Sequence, residues 1–123
     1  MAEKQPAYTE AEIARHMAAL PGWHFEGGTI RRVYKTDGWP TTLMLVNAIG
    51  YFAEAADHHP DLAVSWGRVR VELSTHSAGG ITDKDFELAR RIEEVALWRP
   101  APGAALTGAA DSFVRRGEPS SRT

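Results

Sequence analysis

The chain has 123 residues, 43% hydrophobic and 24% charged, with a formal net charge of −2. That is enough for one domain around one modest core, and the charge balance excludes the electrostatic footprint of a non-specific nucleic-acid binder. No cysteine is present, so disulfides, thiolate nucleophiles and Cys-ligated metals are excluded.

The opening MAEKQPAYTEAE lacks the apolar core of a signal peptide. Thr9 and Glu12 form a T-x-x-E capping box that starts a helix. Ile13, Met17 and Leu20 give it one buried stripe, and Pro21-Gly22 ends it. Trp23 and Phe25 alternate with polar residues, Gly27-Gly28 makes a turn, and Thr29 to Lys35 completes a hairpin. The arginine pairs at 31–32, 90–91 and 115–116 are isolated and read as solvated surface charge. Arg32 nevertheless shares the parity of Ile30 and Tyr34, and the sequence names no partner for it.

Asp37-Gly38-Trp39-Pro40 leads into a second helix, roughly 40 to 58, that is apolar nearly all round. Such a helix is buried on more than one side, and in so small a domain one of those sides is expected to be another subunit. Its apolar run, Leu43 to Ala56, is interrupted by Asn47, Gly50 and Glu54 and is too short to span a bilayer. A cytoplasmic protein without membrane attachment is expected.

Leu62, Val64 and Trp66 alternate inward, Gly67-Arg68 suits a type II′ turn, and Val69, Val71 and Leu73 alternate inward again. A loop, THSAGG, precedes a third helix from Thr82, with Leu88, Ile92 and Val95 on its buried face. Glu87–Arg91 and Arg90–Glu94 have the i, i+4 spacing of surface ion pairs. Residues 99–123 are rich in Pro, Gly, Ala and Ser and are expected to form a poorly ordered extension, in which Phe113-Val114 has the character of a docking point. The order is α-β-β-α-β-β-α. Tight turns make the strands antiparallel, so residues 1–98 are expected to form an α+β domain: a four-stranded antiparallel sheet with helices on one face.

Three of the five histidines, His58, His59 and His76, cluster in the second half of the domain. Glu54 lies one helical turn before His58, and Pro60 turns His59 away from helical dihedrals. Each residue has a bland explanation. Glu54–His58 can be a surface helix pair, Thr82-x-x-Asp85 a capping box, and His76 an ordinary loop residue. His16 and His24 suggest no role. A metal site is disfavoured because no H-x-H or H-x-x-x-H pair occurs. There is no G-x-S-x-G elbow, and Gly79-Gly80 is too short for a phosphate loop. General acid–base chemistry remains, since unperturbed imidazole exchanges protons near neutral pH without a cofactor.

The spaced pattern is distinctive. Glu54-x-x-x-His58-His59-Pro60, then Trp66, His76 and Asp85, with GW at 22–23, V-x-V-x-L-S-T-H at 69–76 and G-G-I-T-x-x-D at 79–85, resembles the pterin-4a-carbinolamine dehydratase family. That family is also known as the dimerisation cofactor of a homeodomain transcription factor. The resemblance covers roughly residues 9 to 98; it departs at Leu62-Ala63, where aromatics are common, and at Trp66, where Tyr is common.

The resemblance implies a hydro-lyase in tetrahydrobiopterin recycling, 4a-hydroxytetrahydrobiopterin dehydratase, converting a 4a-hydroxytetrahydropterin to quinonoid dihydropterin and water with neither metal nor cofactor. It implies His58, His59 and His76 as catalytic residues, with Glu54 orienting His58 and Asp85 positioning His76 or the pocket loop. Trp66, Ser74 and Thr75 are implied in substrate binding. It further implies a homodimer or homotetramer through helix 40–57, no nucleic acid, and an aromatic amino-acid hydroxylase or other protein as partner. A non-catalytic dimerisation or assembly module on the same fold is the alternative.

Overall fold

The computed structural model describes residues 6–108 and 113–115. The elements are α1 (Glu10–Met17), β1 (His24–Glu26), β2 (Thr29–Lys35), α2 (Trp39–Ala56), β3 (Asp61–Ser65), β4 (Arg68–Leu73) and α3 (Asp83–Ala96), with a 3₁₀ turn at His76–Ala78 before α3. The sheet runs β1-β2-β4-β3, antiparallel throughout. The expected α+β architecture is the one observed.

Period-2 patterning sets which face is covered. Ile30 pairs with Leu73 and Tyr34 with Val69, and these side chains are buried together with Val71. Leu45 and Ile49 of α2 and Phe86, Ala89 and Ile92 of α3 close the same core. The opposite sheet face is charged, with Arg31 and Arg70 both paired to Glu72. Alternation along β2 and β4 thus separates an apolar layer from a solvated one.

Four local expectations are corrected. Ser65 pairs with Arg68, so the second hairpin turns at Trp66-Gly67, one residue early, and Gly67 lacks the positive φ of a type II′ turn. β3 is one of the two edge strands, so its inward side chains lie at the rim: Leu62 is half-buried and Val64 exposed, and Trp66, in the turn beyond it, is exposed as well. On α3 the buried stripe is Phe86, Leu88, Ala89, Ile92 and Ala96, which leaves Val95 at its exposed margin. The outer ion pair of that helix is Arg91–Glu94.

Arg32 is not surface charge. It is buried, with Nε donating to Glu93 Oε1 at 3.1 Å and its guanidinium lying 4.5 Å from the Tyr34 ring centroid. Glu93 Oε1 also accepts from Tyr34 Oη (2.6 Å) and Trp23 Nε1 (2.9 Å). Burial, and then the Glu93 charge, push the Tyr34 phenol far above its ordinary pKa, so it stays a donor. One carboxylate on α3 therefore fastens three side chains of the β1–β2 region. Gly22 is part of the arrangement: its φ is +92°, and a Cβ there would lie 2.9 Å from Arg32 Cζ.

The C-terminal extension is described over 99–108 and 113–115; the remainder of the segment expected to be poorly ordered lies outside the described residues. Val114 is buried in the core and forms a bridge with Thr36. Asp37 N–H donates to Phe113 O (2.8 Å) and Arg115 N–H to Lys35 O (2.9 Å).

Replacing Glu93 by Ala should cost about 3–5 kcal/mol, because it leaves the buried Arg32 uncompensated. Urea denaturation measures this; a loss no larger than that of Glu94→Ala, on the exposed face, would refute the role given to Glu93.

Candidate active site

α2 ends at Ala56 because Asp57 adopts the left-handed conformation (φ 50°, ψ 44°), a position Asp tolerates better than most residues. The His58 amide then reaches back to Ala53 O at 3.0 Å. This reversal takes His58 off the helical path. The expected Glu54–His58 pairing, which needs helical geometry through the fourth residue, therefore does not form. Glu54 instead meets His59, Oε1 to Nε2 at 2.9 Å, with both side chains more than half exposed. Such a pair contributes little to stability.

His58 turns inward to Asp85. Its Nε2 lies 2.7 Å from Asp85 Oδ1, and Asp85 has no exposed surface. The other oxygen, Oδ2, accepts from Thr75 Oγ1 (2.8 Å) and from the Thr82 amide (2.9 Å). The Thr75 and Thr82 hydroxyls lie 2.8 Å apart. The capping box expected at Thr82 and Asp85 is present. Capping and histidine contact are thus not alternatives: each uses a different oxygen. An ionised carboxylate only accepts, so His58 Nε2 carries the proton and Nδ1 is the acceptor in the neutral ring. The sequence directs Asp85 toward His76 or the pocket loop; its contacts are with His58 and, through Thr75, with that loop.

Thr75 opens the loop that carries His76. Its backbone pairs with Gly80 (Thr75 N to Gly80 O, 2.8 Å), and His76 starts the 3₁₀ turn between them. His76 is exposed, and its ring has no hydrogen-bond partner among the described residues. Ser74 is half-buried beside Thr75, whose own hydroxyl is engaged internally. Trp66 lies elsewhere: its carbonyl accepts from Thr42 and its ring faces Gly38, at the start of α2, whereas His58 follows the end of that helix. His58, Asp85 and Thr75 are brought together; Trp66 is not brought to them.

A cavity of about 420 Å³ lies between α2 and α3. Phe52, Ala55 and Ala56 form one wall, Lys84, Glu87, Leu88 and Arg91 the other, and His58 also borders it. Neither His59 nor His76 does. The α3 wall was not identified from sequence, although residues 84, 87, 88 and 91 have the spacing of one helix face. Among the described residues no group of three or more His, Cys, Asp or Glu is placed to share a metal ion, and no helix is long and apolar enough to cross a membrane.

A family model described as pterin 4 alpha carbinolamine dehydratase matches residues 6–95. A protein of Aquifex aeolicus, provisionally named pterin-4-alpha-carbinolamine dehydratase, is 47% identical over 71% of this chain and 88% of its own length. One of Chloroflexus aurantiacus with the same provisional name is 43% identical over 73% of this chain and 97% of its own. The crystal structure of a transcriptional coactivator/pterin dehydratase from Brucella melitensis superposes with a TM-score of 0.70 at 34% identity, covering 73% of this chain and 98% of that one.

The histidine geometry predicts that ¹⁵N NMR of the His58 ring shows the Nε2–H tautomer, and that Asp85→Asn removes this bias while retaining the helix cap. A predominant Nδ1–H form in the unaltered protein would contradict the Asp85 contact.

Proposed function

This chain belongs to the pterin 4 alpha carbinolamine dehydratase family, and from that premise we propose that it dehydrates a 4a-hydroxytetrahydropterin by histidine acid–base catalysis. The observation that carries the proposal is the buried His58–Asp85 contact at 2.7 Å on the border of an open cavity. A carboxylate at Nε2 holds the ring in place and leaves Nδ1 as the proton-exchanging atom.

In the reaction the C4a–O bond breaks and the hydroxyl leaves as water after receiving one proton. N5 loses its proton, and its electron pair forms the C4a=N5 bond of the quinonoid product. Atoms and charge balance with no oxidant and no metal. His58 enters the step as the imidazolium, with Nε2–H held by Asp85, and protonates the departing hydroxyl from Nδ1, which returns it to the neutral Nε2–H ring. His59, held by Glu54, takes the N5 proton, and His76 supplies a second polar contact to the hydroxyl. Asp85, Thr75 and Thr82 act through His58 as positioning residues. A well-placed acid or base contributes on the order of 10²–10⁴ in rate.

A second role, as an interaction module, is favoured by α2. Trp39, Leu43, Met44 and Tyr51 are 45%, 40%, 56% and 70% exposed on that helix. Apolar side chains so grouped mark a protein contact, and the proposed occupant is another copy of the chain, in a homodimer or homotetramer.

His58→Ala is expected to lower kcat at least a hundredfold, and His59→Ala and His76→Ala at least tenfold, in a stopped-flow assay of chemically generated 4a-hydroxypterin. Rates equal to the unaltered protein in all three would exclude histidine catalysis. In sedimentation velocity the protein should run as an oligomer, and Met44→Asp should shift it toward the monomer. An oligomer insensitive to that change places the contact elsewhere.

A further inference from the structure

The cavity between α2 and α3 leads away from the proposed reaction centre. Lys84 immediately precedes Asp85, the residue that holds His58, so the cavity begins beside that pair. Along α3 the lining continues through Glu87 to Arg91, seven residues or about 10 Å further on. Alanines at 55 and 56 on α2 leave the space open, since any longer side chain there would project into it. The volume of about 420 Å³ falls within the range of small-molecule sites.

Two cations and one anion line this groove. Lys84 is exposed and has no ion-pair partner among the described residues. Arg91 has only Glu94, at 3.6 Å, with side-chain exposures of 61% and 67%. An exposed pair of that kind is weak and yields readily to an incoming anion. Glu87, between the cations, favours a hydrogen-bond donor halfway along a bound chain. The order of charges reads outward from His58 as cation, acceptor, cation.

We infer that this groove receives the C6 substituent of the pterin, and that the substituent is an extended chain, about 10 Å long, carrying a donor group midway and a carboxylate at its end. The inference rests on the pterin reading above and adds a substrate class to it. The bicyclic ring stays at His58, the middle of the chain lies against Ala55 and Ala56, and its carboxylate meets Arg91.

The test compares two 4a-hydroxytetrahydropterins, one with a methyl group at C6 and one with a carboxylate-ended chain. In the unaltered protein kcat/KM is expected to favour the second at least tenfold. Arg91→Ala should reduce that ratio about tenfold, Arg91→Lys should restore most of it, and Ala55→Leu should reduce it by obstruction. Thermal melts confirm that the variants fold. A ratio that none of these changes moves overturns the inference.

Should neither compound be turned over, the dehydratase reading fails. The groove is then decided by fluorescence titration with pteroylglutamate and 6-methylpterin. Tighter binding of pteroylglutamate that is lost in Arg91→Ala upholds it, and equal binding of the two overturns it.

Discussion

Asp85 is a carboxylate with no exposed surface, and a buried charge is tolerated only where donors replace the water it has lost. Three groups do so here: the His58 ring, the Thr75 hydroxyl and the Thr82 amide. Each belongs to a different segment. His58 follows α2, Thr75 follows β4, and Thr82 caps α3. The interaction that satisfies the charge therefore also fixes the relative positions of three chain segments, and the proposed reaction centre arises where they converge.

α3 carries a second carboxylate that gathers several donors, although this one is only partly buried. Glu93 gathers Trp23, Arg32 and Tyr34 as Asp85 gathers its own partners. The two divide the helix: its first turn organises the histidine, and its last turns lock the β1–β2 hairpin to the core. Hydrophobic burial supplies most of the driving force for such a fold, but apolar contacts are non-directional. The polar hubs select one register and one helix orientation from those that would bury similar area.

Much of the architecture was legible in the sequence because it follows from local rules. The Thr9–Glu12 capping box, the alternation of Ile30, Tyr34, Val69, Val71 and Leu73, and the periodicity around Leu88 and Ile92 each report a neighbour one or two turns away. What escaped depended on non-local geometry. The left-handed Asp57 diverted His58 from Glu54 to Asp85, and no spacing rule anticipates a change of helical hand at a single residue. Arg32 could be seen to face inward, but Glu93 lies 61 positions away and only the folded chain pairs them. The motif names these histidines and carboxylates, but not which carboxylate each histidine meets: His58 meets Asp85 and His59 meets Glu54. The position of Trp66 was hidden for a similar reason: its place in the turn, rather than the strand, puts it beside the start of α2.

β1 is short, pairing with β2 only through residues 29 to 31, and beyond that point β2 would present unpaired backbone to any passing strand. Val114 and its neighbours occupy part of this stretch, bonding to Lys35, Thr36 and Asp37. Exposed strand margins invite edge-to-edge aggregation. The backbone of residues 113 and 115 covers part of that margin, while the Val114 side chain between them completes the interior, so one short segment serves both edge protection and packing.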